Sequence, residues 1–113
     1  MIKILYVTFS SKEEAVSIAG RLLAEKLIAC ANIFDNSTSI YRWQGEVQQA
    51  SEAIFFAKTT QEQSEKAISR IKELHSYELP CIVLLPVESG FKPFIEWVGK
   101  ETIPLTPVYT PPR

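Results

Sequence analysis

His75, Tyr77 and Glu78 place an imidazole, a phenol and a carboxylate within four consecutive positions, two residues ahead of Pro80. An imidazole and a carboxylate at that spacing can share a divalent cation, and Cys30 or Cys81 would add a soft donor suited to copper or zinc. The usual accompaniments of a complete metal site are missing: the chain has no CxxC, no HExxH and no second histidine. The same residues also fit a structural role. A histidine in the last turn of a helix interacts favourably with the C-terminal end of the helix, while Tyr77 and Glu78 hydrogen-bond locally to fix the turn before Pro80.

Other chemistries have less to work with. A Ser or Cys nucleophile needs a base, and His75 is the one imidazole available. Glu13-Glu14 reads as negative charge favoured at a helix N-terminus rather than as an acid–base pair. Gly20, Gly45, Gly90 and Gly99 are too scattered for a phosphate loop or a dinucleotide fingerprint. No self-sufficient catalytic centre is expected, so the chain reads as a non-enzyme.

Charge narrows the partners further. Twelve basic residues face thirteen acidic ones, for a net charge of -1, and they are interspersed, as in Lys12-Glu13-Glu14, so no nucleic-acid footprint is expected. The longest aliphatic run, residues 81–85, falls far short of the roughly 18 residues that span a bilayer. Residues 1–6 open directly into a strand pattern without the features of a secretory signal, which leads to the expectation of a cytoplasmic protein. Cys30 and Cys81 each lie in an apolar run and, in a reducing compartment, read as small core residues rather than a disulfide.

The elements that must position these residues follow from periodicity. Residues 2–9 form an apolar strand, and Ser11-Lys12-Glu13-Glu14 has the form of a capping box. Ala15, Ile18, Ala19, Leu22 and Leu23 then supply a helical stripe. Residues 27–34 predict a second strand, 35–37 a break, and 39–43 an extended piece that turns at Gln44-Gly45 into an arm ending in a central strand at 53–57. Thr60-Gln61-Glu62-Gln63 starts a second helix, with Ala67, Ile68, Ile71 and Leu74 apolar, ending near His75. A strand over 81–87 and a short helix over 91–98, with Phe94, Ile95 and Trp97 apolar, precede a proline-interrupted arm at about 103–113.

This order predicts one α+β domain over 1–113 with the ferredoxin-like split β-α-β arrangement, an antiparallel sheet with helices on one face. The other face, together with Tyr41, Trp43, Phe91, Trp97 and Tyr109 at the periphery, then needs covering, which favours a homo-oligomer.

Five blocks now carry a resemblance: Ala29-Cys30-Ala31-Asn32-Ile33, Ser39-Ile40-Tyr41-Arg42-Trp43-Gln44-Gly45, Lys58-Thr59, His75-Ser76-Tyr77-Glu78-Leu79-Pro80 and Trp97. In order and spacing the chain resembles the CutA family of divalent-cation tolerance proteins over nearly its whole length. The resemblance implies a ferredoxin-like subunit of a tight homotrimer, joined through the hairpin around 41–45 and the C-terminal arm. It further implies a trimer similar to the nitrogen-regulatory PII proteins, and a link to copper and other divalent ions, with bacterial members cytoplasmic. Animal relatives are linked with anchoring of a membrane esterase.

The family's His-Pro-Tyr-Glu block matches at His75, Tyr77 and Glu78, with Ser76 where proline is usual, and its cysteine matches at Cys30; Cys81 has no counterpart role. The resemblance therefore implies copper or another divalent cation held by Cys30, His75 and Glu78 from neighbouring chains. The alternative is a PII-like sensor whose subunit clefts hold a small ligand or anion through Trp43, Lys58 and Tyr77. A ligand-free scaffold trimer is the third reading.

Overall fold

The first strand sets the frame because its side chains alternate. In Ile2–Phe9 (β1), Leu5, Val7 and Phe9 are fully buried while Ile4 and Tyr6 are only half-buried, so among the described residues one face of the sheet is covered and the other is not. The computed structural model describes residues 1–104; the expected arm at 103–113, with Tyr109, therefore lies almost entirely outside the described residues.

Lys12–Ala24 (α1) starts as expected, with the Ser11 Oγ accepting the Glu14 N–H at 3.1 Å. The return bond is displaced by one residue. Glu14 Oε1 accepts from the backbone N–H and the hydroxyl of Ser10 rather than from Ser11. The helix buries Ala15, Ile18, Ala19 and Leu22, but Leu23 lies off the stripe and is exposed. In Gln61–Leu74 (α2) Thr60 caps the Gln63 N–H, while the Gln63 side chain reaches 39 residues ahead to donate to the Thr102 carbonyl at 2.9 Å. Both helices lie on the face of Leu5, Val7 and Phe9, where Phe9 meets Phe55 edge-on at 4.9 Å. Each such fully buried side chain contributes roughly 1.5–3 kcal/mol. Where α1 ends and α2 passes, Arg70 grips the Glu25 carboxylate through Nε and Nη2, both at 2.9 Å.

The remaining strands are Cys30–Trp43 (β2), Glu46–Thr60 (β3) and Ile82–Pro86 (β4). The sheet order is β2-β3-β1-β4 and every neighbouring pair is antiparallel. Lys92–Glu101 (α3) completes the chain and builds a small separate cluster in which Val98 meets Ile2 and Ala29. Its buried residue is Val98, while Phe94 and Trp97, the latter expected at the periphery, are 38% and 40% exposed, their rings 5.6 Å apart.

The expected break at residues 35–37 does not form. β2 runs through it as one 14-residue strand, with Phe34 opposite Ile54 and Ser37 opposite Glu52. Two residues of β2 stand against one of β3, which is a bulge, and Asn36 takes the left-handed φ of 59° with its N–H bonded to Asp35 Oδ1. An inserted residue reverses the alternation. Before the bulge, Cys30, Asn32 and Phe34 share the uncovered face with Ile54 and Phe56. After it, Ser39, Tyr41 and Trp43 do.

β1 pairs with β3 no further than Phe9 opposite Ala53, so residues 37–43 and 46–52 project beyond the four-stranded sheet as a two-stranded arm. Gln44 and Gly45, at φ 51° and 83°, close it in a two-residue turn whose backbone requires positive φ at both positions. The arm stretches the molecule to 60 Å and its radius of gyration to 15.9 Å, against about 13 Å for a globular chain of this length.

Candidate functional site

Where the arm leaves the sheet, a cleft of 690 Å³ opens between the arm and the 76–81 segment that links α2 to β4. Tyr41 and Trp43 form its arm side, Glu52 and Thr8 its base, and Tyr77, Glu78, Leu79 and Cys81 its opposite wall. Two polar contacts hold that wall in place. The Tyr77 hydroxyl donates to Glu52 Oε2 at 2.7 Å, and the Ser76 N–H and hydroxyl donate to the Glu14 carboxylate at 2.8 and 3.0 Å. Ser76 thus uses both of the donors that a proline at this position would lack.

His75 lies beneath the wall, not in it. Its side chain is wholly buried, stacked on Phe9 at 5.0 Å with the planes 9° apart. The Nε2 atom faces the Thr8 carbonyl at 2.8 Å, which can only accept, and Nδ1 faces the Tyr77 N–H at 3.1 Å, which can only donate. The tautomer is therefore fixed with hydrogen on Nε2, and both ring nitrogens are engaged.

The six residues singled out from the sequence separate into three groups. Trp43, Tyr77 and Glu78 meet at the cleft; His75 is the pin below it. Cys30 and Lys58 stand opposite one another on β2 and β3, with Lys58 Nζ bonded to Asn32 Oδ1. Lys58 pairs with Ile4 whereas Thr8 is the residue that His75 holds, four residues along β1, or about 13 Å. His75 also sits on the helix-covered face with Phe9, and Cys30 on the other. One chain therefore does not assemble Cys30, His75 and Glu78, and among the described residues no three His, Cys, Asp or Glu side chains converge on a metal position. Nor does Lys58 reach Trp43 and Tyr77 within the chain.

The cleft also takes in residues outside those six, Tyr41, Glu52 and Cys81 among them. Glu52 carried no local signal, being one carboxylate in a long strand. Cys81, expected in the core, is exposed on the wall; neither cysteine is in a disulfide. Burial and the nearby Glu52 charge push the Cys81 thiol upward, which keeps it protonated at neutral pH. Burial, then the hydrogen bond to Glu52, raise the Tyr77 phenol well above its ordinary value, so it remains a neutral donor. Burial alone would raise Glu14, but the donors from Ser76 and Ser10 outweigh it and hold the carboxyl below its usual range.

A four-stranded antiparallel βαββαβ sheet, with two helices on one face and its central hairpin extended into an arm, defines an α+β subunit of the ferredoxin-like class. Within that class the chain belongs to the family described as CutA1 divalent ion tolerance protein, which matches residues 3–101. The divalent-cation tolerance protein CutA of Thermus thermophilus is 41% identical over 102 residues, covering 90% of this chain and 99% of that protein. Its solved structure superposes with a TM-score of 0.88 over 90% of this chain and 99% of its own. The structure titled periplasmic divalent cation tolerance protein CutA from Archaeoglobus fulgidus gives 0.88 at 39% identity, covering 91% of this chain and all of that one. No helix among the described residues is long and apolar enough to cross a membrane.

Proposed function

We propose that this chain works as a non-enzymatic, cytoplasmic homotrimer in divalent-cation response, and that copper or another divalent cation is held where subunits meet. The supporting observation is the separation of the donors. Glu78 and Cys81 border the cleft beside Thr8, while Cys30 stands opposite Lys58 at the level of Ile4, about 13 Å along β1, so each chain offers part of a coordination set and a neighbour supplies the rest. The uncovered face is suited to such a neighbour. Tyr6, Phe34 and Phe56 form an aromatic row along it, and Val83 and Leu85 are more than 40% exposed.

His75 enters this reading as a support for the ligand-bearing turn, since its nitrogens are engaged with Thr8 and Tyr77. The test is a calorimetric copper titration against a competing chelator, with oligomer mass recorded throughout, on the native sequence and on Glu78→Gln, Cys81→Ser and Cys30→Ser. A fixed stoichiometry per trimer, lost in Glu78→Gln or a cysteine variant while the trimer persists, supports the reading. Binding no stronger than the chelator's background in an intact trimer overturns it.

The sensor reading keeps one observation in its favour: the cleft is far larger than an ion requires. Its anionic version loses its anchor within the chain, because Lys58 lies away from the cleft.

A further inference from the structure

We propose that the cleft between Tyr41, Trp43 and Tyr77 binds a small organic cation with a substituted ammonium head. This goes beyond the metal reading and does not depend on it. The walls are aromatic and apolar: Tyr41 and Trp43 on the arm, Tyr77 and Leu79 opposite. The charged residues on the lining are the carboxylates Glu52 and Glu78, and no Lys or Arg is among the described lining residues. An anion entering this space would meet like charge without a cationic partner, and a purely apolar ligand would draw nothing from the two carboxylates.

A diffuse ammonium matches both features. Its weakly hydrated methyl or methylene shell packs against ring faces whose quadrupole attracts positive charge, and the carboxylates balance that charge without stripping a tight hydration shell. The Tyr77 hydroxyl is already committed to Glu52 Oε2, which holds the Tyr77 side chain in the cleft wall, and among the described residues Glu52 Oε1 has no hydrogen-bond partner. At 690 Å³ the cleft is in the range that holds a small organic molecule. The bulge at Asn36 absorbs one extra residue of β2 and so keeps Tyr41 and Trp43 on this side of the arm.

The chain has two tryptophans, so Trp97→Phe leaves Trp43 as the sole indole reporter. The experiment titrates the intact protein, at constant ionic strength and with oligomer mass monitored, using choline as the probe and inorganic phosphate as the comparator. Calorimetry on the native sequence repeats the measurement without relying on the reporter variant. The expected result is a saturable change in Trp43 emission with choline and none with phosphate. Glu52→Gln, which keeps an acceptor for Tyr77 while removing the charge, and Trp43→Ala are each expected to weaken choline binding about tenfold.

No saturable choline response in either assay, or saturation by phosphate instead, overturns the proposal. The copper titration reads the metal hypothesis separately. Choline binding without copper binding leaves this site standing alone, and copper binding without choline binding removes this site and leaves the metal reading.

Discussion

The Nε2–H of His75 donates to the carbonyl oxygen of Thr8 at 2.8 Å, joining the residue that ends α2 to β1 across 67 positions of sequence. Together with the stacking on Phe9, this makes His75 a buried strut beneath the cleft. His75→Ala would leave the Thr8 carbonyl unpartnered and a void against Phe9, so it is expected to destabilise the fold by about 2–4 kcal/mol. Chemical denaturation monitored by far-UV dichroism measures this, and a loss below about 0.5 kcal/mol would contradict the strut role. Any copper-binding loss in that variant therefore has to be read beside its stability.

The Asn36 bulge absorbs one extra residue of β2, so that Ser37 to Trp43 keep their partners on β3. Deleting Asn36 leaves one residue of β2 against one of β3 between the Phe34–Ile54 and Ser37–Glu52 pairs, so Tyr41 and Trp43 stay on the same side of the arm. In a Trp97→Phe background, Trp43 emission is expected to be unchanged, with the four-stranded sheet retained. A shift toward the emission of a fully exposed indole would show that the arm slips in register instead.

Glu14 links the start of α1 to the turn after α2 through its bonds to Ser10 and Ser76. Its carboxyl is held below the ordinary value of 4.5, because these donors outweigh the upward effect of burial. A carboxyl whose pKa is lower folded than unfolded contributes fully above the unfolded value, and the contribution is lost as pH falls through the folded one. Glu14→Gln is expected to cost about 1–2 kcal/mol at pH 7. It should also flatten the loss of stability expected of the native sequence as pH falls below 4.5. Parallel stability curves for the two proteins from pH 7 to pH 3 would exclude this linkage.

At the arm's tip, Gly45 has φ 83° and open space where a Cβ would stand, so the cost of a side chain there is conformational rather than steric. Gly45→Ala is expected to destabilise by about 1 kcal/mol, and Gly45→Val by more, since a branched side chain tolerates positive φ less well. Equal stability of all three would mean that the turn relaxes to another type without penalty.

Much of the architecture was legible because its signals are local. The Ser11 and Thr60 caps, the Gln44-Gly45 turn and the helical stripes each depend on residues within a few positions of one another, and they fix the βαββαβ order. The misreadings share the opposite character. Asp35-Asn36-Ser37 reads equally as a break or a bulge until β3 supplies Glu52 and Ile54 as partners. His75 reads as either a ligand or a structural residue of the helix end until Thr8 and Phe9 close around it from the far end of the chain.

At the cleft, Tyr77 and Glu78 stood out because they cluster in sequence, and Trp43 because it lies in a recognisable hairpin block. Glu52 did not, since its role depends on a hydrogen bond to a residue 25 positions away. Cys81 belongs to an apolar run but precedes β4, in the linking segment that faces the cleft.

The strand order β2-β3-β1-β4 carries a consequence for the timing of folding. β1 is made first, yet both of its neighbours, β3 and β4, come later in the chain. On a ribosome adding 5–20 residues per second, residues 2–9 wait roughly 3–10 s before residues 53–60 emerge to pair with them. The β2–β3 hairpin, whose partners adjoin its own turn, closes in microseconds once made. Folding during synthesis is therefore expected to run from the arm inward, with residues 2–9 waiting longest for their partners.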